Sequence, residues 1–338
     1  MSTVVADPPV LTTAPVSNGS EQPSRPTKKR MLIIVNPYAT TVSDRLKNLV
    51  VYALQGRYEV EAVSTEAQNH ATEIGREARD GGYDIVVAFG GDGTLNEVAN
   101  GLAGTGVPVS VLPGGSTNVV CRTLGIPNDV VDATEHLLGI ADDFRPRPID
   151  LGIAGTRRFV FSVGAGLDAT AAKKVDARPR LKTRLGPYFY TWVATSSFYT
   201  EYLRNPVRMR LSADGEELEG ITVLAQNSDP FTYFSGRPVR VSRDVAIDDG
   251  TLAVAVLGRA RQRDMGFIIT RLFSNRLKAT DHRHIDHVAG VTEGRIESLS
   301  TDAAGAARSF PVQVDGDYIG DFTELELGIE PGALTVVA

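Results

Sequence analysis

The chain has 338 residues, 42% of them apolar, a formal net charge of −6 and one cysteine. That length suggests two domains, each with material for its own core. No apolar stretch approaches the ~20 residues of a membrane span, and the acidic balance argues against bulk electrostatic capture of nucleic acid. Cys121 has no partner for an internal disulfide, which fits a reducing compartment, and its setting in "NVVCRTL" reads as a buried structural thiol.

Residues 1–30 are rich in Pro, Ser and Thr without hydrophobic periodicity, and they read as a disordered tail ending in a solvated "KKR". They lack the basic start and unbroken apolar core of a signal peptide. From Met31, strand and helix patterns alternate. "MLIIVNP" is an apolar run closed by a turn signal. Asp44 is placed to cap a helix with Leu46, Leu49, Val50, Ala53 and Leu54 on one face. "YEVEAVST" reads as a second strand, His70 to Arg79 as a helix, "DIVVAFG" as a third strand and "VPVSVLPGG" as a fourth. Continuous apolar strands between amphipathic helices predict an α/β domain over 31–147, with a mostly parallel sheet covered on both faces.

After "RPRPID" the rhythm changes. "LGIAGTRRFVFSVGAG", "VRMRLSADGEELEGITVLAQ", "VRVSRDVAIDDGTLAVAVLG", "VAGVTEGRIESLS" and "FPVQVDGDYIGDFTELELGI" read as strand pairs joined by Gly and Asp-Gly turns. They predict a second, antiparallel domain over 148–319.

"AFGGDGTLNEVANGL" sets Gly90, Gly91 and Gly93 around Asp92, with the Thr94 hydroxyl next to them, at the carboxyl end of a strand where open α/β sheets bind ligands. Thr94 is read as starting a helix with Leu95, Val98, Ala99 and Leu102 buried, and Thr94 with Glu97 has capping-box spacing. Free amides beside glycines form an anion site that a phosphate can approach. "VLPGGSTNVV" repeats the pattern with Ser116, Thr117 and Asn118, and "IVNPYATT" follows the first strand in the same way. Three polar turns on one sheet edge outline a nucleotide cleft. It is not a P-loop cleft, for no lysine follows these glycines. The dinucleotide fingerprint at Gly164, Gly166 and Ala169 falls in the antiparallel region, out of its required context.

Asn36–Pro37, "GGDGTLNE" at Gly90–Glu97, "PGGSTN" at Pro113–Asn118 and "VDGD" at Val314–Asp317 resemble, in order, the motifs of the diacylglycerol kinase catalytic family. Its relatives are the bacterial diacylglycerol kinases, sphingosine and ceramide kinases and, more distantly, NAD kinases. The resemblance runs from Met31 nearly to the C-terminus. It implies an α/β ATP-binding domain, a β-sandwich lipid domain and a C-terminal segment, 320–338, returning to the first. It further implies an ATP-dependent lipid kinase of phospholipid biosynthesis. The γ-phosphate of ATP would pass to a hydroxyl of diacylglycerol or a related lipid. Such an enzyme is cytoplasmic and peripherally membrane-associated, with homodimerisation left open.

By the same resemblance, the ATP phosphates lie on Gly90, Gly91, Asp92, Gly93, Thr94, Leu95 and Asn96, with Glu97 beside them. Asn36, Pro37, Tyr38, Ala39, Thr40, Thr65, Gly114, Thr117 and Asn118 complete the ATP site. Relatives often carry Ser-Gly after Asn-Pro, where this chain has Tyr38-Ala39-Thr40. "VAIDDGTLAV" taken alone is an Asp-Gly hairpin turn. The resemblance implies a structural Mg²⁺ there, held by Asp249 and the carbonyls of Ala246 and Thr251, an oxygen-only set suited to a hard cation. A separate Mg²⁺ accompanies ATP near Asp92. The family's Asp-Gly-Glu segment supplies its proton acceptor from the final acid. Here that residue is Asp317, one methylene shorter, with Asp315 and Asp92 as the other candidates.

Lys173, Lys174, Arg178, Arg180, Lys182 and Arg184 precede Tyr188, Phe189, Tyr190, Trp192, Phe198, Tyr199 and Tyr202. This order suits an anionic membrane surface, or a solvated loop before a covering helix. Lys182 or Arg184 facing ATP phosphates is the alternative. His282, His284 and His287 read as a hydrophilic strand start, since no second ligand cluster completes a zinc site. Two further functional readings stand beside the lipid kinase: a kinase of a soluble substrate in the manner of NAD kinase, and a non-catalytic nucleotide- or lipid-binding relative.

Overall fold

The computed structural model describes residues 28–259 and 261–338. The first 27 residues of the expected tail, and the Lys182 side chain, lie outside the described residues. The first strand, β1 (Lys29–Val35), already includes Lys29 and Arg30. The strand thus starts two residues sooner than expected, while Lys28 and Arg30 are exposed as a solvated start should be; the Arg30 amide donates to the Asp84 carboxylate and its guanidinium to the Gly81 carbonyl.

α1 (Asp44–Leu54), β2 (Tyr58–Ser64), α2 (His70–Asp80), β3 (Ile85–Gly90), α3 (Asp92–Leu102) and β4 (Val109–Pro113) follow in alternation, then α4 (Val119–Leu124) and α5 (Val130–Ile140). The four strands lie parallel in the order β2-β1-β3-β4. Met31 to Val35 and Ile85 to Phe89 are buried without interruption, as expected of strands covered on both faces. Two details of α1 differ from expectation. Ser43 is the cap, its hydroxyl accepting from the Leu46 amide, and Asp44 is the first helical residue. Leu49 is 57% exposed, since only Val50 and Leu54 face the sheet squarely.

The second half begins with β5 (Arg147–Ala154), β6 (Arg157–Phe159) and β7 (Ser162–Gly166). Helices α6 (Leu167–Asp176) and α7 (Pro179–Ser197) come next, α7 being broken at Gly186 and continued by a π turn over Phe198–Tyr202. Then come β8 (Met209–Ala213), β9 (Glu216–Gly220), β10 (Thr222–Gln226), β11 (Thr232–Phe234), β12 (Arg237–Val239), β13 (Leu252–Leu257), α8 (Gln262–Leu272), β14 (Ile285–Val291), β15 (Glu293–Ser298), β16 (Phe310–Val314), β17 (Asp317–Phe322) and β18 (Glu324–Val336).

The order β14-β13-β10-β7-β16-β17 forms one antiparallel sheet; β18, β15, β8 and β9, with β5 and β6, extend the first sheet. The two layers enclose a second core of Phe159, Met209, Val223, Val254, Phe310 and their neighbours. The hairpin expected across Asp248-Asp249-Gly250 does not form. β12 pairs with β11, and β13 pairs with β10 and β14. Nor do β14 and β15 pair, for they enter different sheets.

The 13-residue β18 joins the halves. Leu325 and Leu327 lie in the second core, while Leu334, Val336 and Val337 lie in the first. Its last residue pairs in parallel with Val109 of β4. The fold is thus an α/β domain plus a β-sandwich, with the chain end returning to the former.

Candidate active site

Three turns of the α/β domain meet one hairpin of the sandwich. The turns after β3 and β4 pack backbone on backbone. The Gly114 amide donates to the Gly90 carbonyl at 2.7 Å, and the Thr41 amide to the Gly114 carbonyl at 3.1 Å. A methyl on Gly114 would lie 2.8 Å from Gly90 Cα, and one on Gly115 2.9 Å from Gly91 Cα. The glycines are therefore needed first so that the two turns can touch. Asn36 ties in the third turn: its Nδ2 donates to Thr94 Oγ1 at 3.0 Å, and its Oδ1 accepts from the Tyr38 amide at 2.9 Å. Pro37, Tyr38 and Thr40 are exposed in that turn, with Ala39 half-buried. Thr65 is buried beside it, its amide on the Val35 carbonyl.

α3 starts at Asp92 behind Gly91, and the expected Thr94–Glu97 capping box does not form. Thr94 is engaged by Asn36, and Glu97 instead accepts the amides of Asn69 and Ala71 at the start of α2. Leu95 belongs to the core. Asn118, itself left-handed, closes its own turn by bonding the amide and carbonyl of Gly115. Thr117 places its carbonyl on Arg122. Asp92 spans both glycine turns, because its Oδ1 also accepts from the Val120 amide at the start of α4.

The hairpin β16–β17 arrives from the sandwich. Asp315 and Gly316 both have positive φ (49° and 90°) between the paired residues Val314 and Asp317. This is the two-residue hairpin turn that Asp-Gly favours. Asp315 turns inward and is buried. Its Oδ1 accepts the amides of Phe161 and Ser162, both at 3.0 Å; its Oδ2 accepts the Val160 amide and Asn96 Nδ2, both at 2.8 Å. Every lone pair of that carboxylate is engaged, one of them by a helix of the other domain. Asp317 lies over the glycine turn: a methyl on Gly93 would stand 2.4 Å from its Oδ2. Asp92, Asp315 and Asp317 are thus brought together.

Burial pushes the Asp92 carboxyl up to about 7; the amides of Val119 and Val120 oppose this, and the charges of Asp315 and Asp317 add to it. Burial also pushes Asp315 up to about 6, against its amide donors and Asn96. Cys121 is buried, its thiol pushed up to about 12 by that burial, as a structural thiol should be.

Ala246, Asp249 and Thr251 sit apart from this cluster in a loop of their own. Asp249 Oδ2 accepts the Ala246 amide at 2.6 Å, and Oδ1 accepts the amide and hydroxyl of Thr251 at 2.9 and 3.0 Å. Three lone pairs of this carboxylate are thus taken by donors of its own loop; a carboxylate with backbone carbonyls is the kind of oxygen-only set that suits a hard cation. Among the described residues no group of three or more His, Cys, Asp or Glu could hold a metal. His282 and His284 meet edge to face, with His284 beside Asp264, and His287 bonds Ser242.

The basic segment divides. Lys173 pairs with Asp321 at 2.5 Å and lies over the Tyr318 ring, while Lys174 bonds Ser197 and Glu201. Arg178, Arg180 and Arg184 are exposed, as are Leu181, Leu185, Tyr188 and Trp192. Phe189 and Val193 pack inward on α6.

The sequence reading missed Asp150 and Gln313. Asp150, buried, accepts the amides of Gly250 and Gly332 and so ties the Asp249 loop to β18. Gln313 is buried between Val312 and Val314; a polar residue inside the apolar run "FPVQV" was the available signal.

Residues 30–152 match the model of the "Diacylglycerol kinase catalytic domain", and residues 161–338 that of the "YegS C-terminal NAD kinase beta sandwich-like domain". The chain belongs to the diacylglycerol kinase catalytic-domain family. A Staphylococcus aureus family member named "Diacylglycerol kinase" is 26% identical over 315 residues, 90% of each chain, and one from Staphylococcus haemolyticus is 26% identical over 313. Two Bacillus anthracis structures titled as a diacylglycerol kinase and a putative one share the fold. Their TM-scores are 0.66 and 0.69 at 20% and 24% identity, each covering 91% of this chain and 96% of that one. This family member is therefore a kinase-type enzyme, and no described helix is long and apolar enough to cross a membrane.

Proposed function

We propose that the protein is an ATP-dependent lipid kinase that phosphorylates a hydroxyl of diacylglycerol or a related lipid at a membrane surface. The observation that carries this reading is the Asp317 carboxylate packed on Gly93 of the glycine turn. It brings a base from one domain to the anion-binding backbone of the other. Asp317 accepts the proton of the lipid hydroxyl as that oxygen attacks the γ-phosphorus, and the bond from that phosphorus to the β,γ-bridging oxygen breaks to release ADP. The free amides at the start of α3 bind phosphate oxygens. Asp315, its lone pairs all engaged, serves as the strut that sets the hairpin against α3. Phosphoryl transfer asks little more of a protein than positioning and charge neutralisation.

Mg²⁺ belongs to this reading in two places: with ATP beside Asp92, and at Asp249 with the carbonyls of Ala246 and Thr251. At the first it would neutralise phosphate charge; at the second it would brace the loop that Asp150 holds. The shape of the α/β domain supports a soluble acceptor equally well. The exposed Arg180, Arg184, Leu185, Tyr188 and Trp192 favour the lipid.

The test is incorporation of labelled phosphate from ATP into lipid extracts in mixed micelles, with Asp317→Asn as the control. Label entering a lipid with wild type and not with the variant supports the reading. Label entering only a water-soluble acceptor assigns the second reading, and no incorporation with any acceptor assigns the binding protein.

A further inference from the structure

Both residues flanking Asp317 are tethered to the same helix. On one side, the Gly316 amide donates to Gln313 Oε1 at 2.6 Å, and Gln313 Nε2 donates to Asp168 Oδ2 at 2.8 Å, in the first turn of α6. On the other, the Tyr318 amide donates to Asp176 Oδ2 at 3.1 Å, at the last residue of α6. The carboxylates at the two ends of α6 thus grip the chain immediately before and after Asp317. Tyr190 of α7 donates to Asp168 Oδ1 at 2.5 Å and holds that carboxylate in turn.

This arrangement is built into the backbone. The β16–β17 pairing shifts register between Val312 and Gln313, and such a bulge re-aims side chains. Gln313, 2% exposed, lies inward beside two buried valines. Gly164 leaves the space: a methyl there would meet Asp168 Oδ2 at 2.6 Å and Gln313 Nε2 at 2.8 Å. A buried amide with both ends bonded, in a hole kept open by a glycine, does more than fill a core. It fixes the path of Gly316, and hence the origin of the Asp317 side chain.

We propose that Gln313 is a positioning residue for the reaction, acting through Asp317, with α6 as the brace it bears on. The inference rests on the reading of Asp317 as proton acceptor. Removing either bond of Gln313 frees Gly316 and lets the Asp317 carboxylate drift from the glycine turn. A displacement of an ångström at a reacting group is enough to cost about 10²-fold in rate.

The experiment compares kcat and both KM values for Gln313→Met, which keeps volume and removes both bonds, and Gln313→Glu, which sets a carboxylate against Asp168. We expect kcat to fall roughly 10–100-fold in each, with KM for ATP unchanged. Adding Asp168→Asn to Gln313→Glu reverses the donor and acceptor and restores kcat to within a few-fold of wild type. In an Asp317→Asn background, Gln313→Met costs nothing further, because its effect passes through the group already removed. An additive loss there overturns the proposal and leaves Asp317 in its role. A raised KM for the lipid with kcat unchanged also overturns it, since the network then contacts the substrate. Full activity of Asp317→Asn itself overturns the reading of the base and this inference with it. Insoluble single variants that the reversed pair does not rescue assign Gln313 to the core alone, and also overturn the proposal.

Discussion

Gly93 and Asp317, more than two hundred residues apart in the chain, touch so closely that a methyl group on Gly93 would come within 2.4 Å of the Asp317 carboxylate. One belongs to the glycine turn of the α/β domain, the other to the first position of β17 in the sandwich. Their contact defines the site, since it sets the distance between the phosphate-binding amides and the candidate base.

Gly93→Ala tests that contact directly. The added methyl fits the helical backbone at this position, so the fold survives, but the Asp317 side chain has to move aside. We expect kcat to fall by about 10²-fold, with melting temperature and ATP affinity near those of wild type. An active Gly93→Ala protein would show that the carboxylate is free to work from elsewhere.

Asp317→Asn keeps the shape and removes the basicity. Turnover should drop by roughly 10²–10⁴ while ATP affinity holds, because the glycine turns belong to the other domain. Asp317→Glu restores the acid usual in the family and should retain more activity than asparagine. Steady-state kinetics of the two variants, beside Asp315→Asn, decides between strut and base. Loss of folding stability is the expected mark of Asp315→Asn, which disturbs four hydrogen bonds.

Much of this was legible in the sequence, and the limits have physical causes. The unbroken apolar runs at Met31 and Ile85 announced the parallel sheet, and Asp315-Gly316 announced its hairpin turn. Asp248-Asp249-Gly250 carried the same local signal and formed no hairpin, because β13 finds its partners at long range in β10 and β14. Tertiary pairing overrides turn chemistry there. Glu97 had capping-box spacing, yet it caps a different helix, which only the packing of α2 against α3 determines. Likewise, nothing local separates Asp315 from Asp317. Their division into strut and candidate base depends on which face of the hairpin meets α3.

Membrane attachment should follow the exposed residues and spare the paired ones. Lys173 and Lys174 are engaged with Asp321 and Glu201, so Lys173→Ser with Lys174→Ser should lower stability more than vesicle binding. Arg180→Ser with Arg184→Ser should weaken binding to anionic vesicles, and salt should weaken that of wild type. Co-sedimentation with vesicles rich in anionic lipid, at low and high salt, checks this. Equal binding by the Arg180/Arg184 variant and wild type would return the segment to a solvated loop.

Magnesium at Asp249 should reveal itself through stability. A cation bound by the folded state alone raises the melting temperature as its concentration rises. Wild type should respond to Mg²⁺ without nucleotide, and Asp249→Ala should not. A response that persists in Asp249→Ala moves the cation to another site.

Asp92 offers a test in which stability and activity part company. Burial holds its carboxyl up at about 7, from an ordinary 3.8. Between those values the folded chain binds a proton that the unfolded chain has released. Stability from this group is therefore complete below about pH 4 and is lost as pH rises to 7. Asp92→Asn has no such titration and keeps an oxygen for the Val120 amide. Its melting temperature should match wild type near pH 4 and exceed it increasingly up to pH 8. Turnover should nonetheless fall by about 10²-fold or more, as charge beside the phosphates is removed. Thermal melts from pH 4 to 8, paired with kinetics at pH 8, make the comparison. A variant that is less stable than wild type at pH 8 would mean that Asp92 is held there for the fold, with its charge compensated by the helix starts it joins.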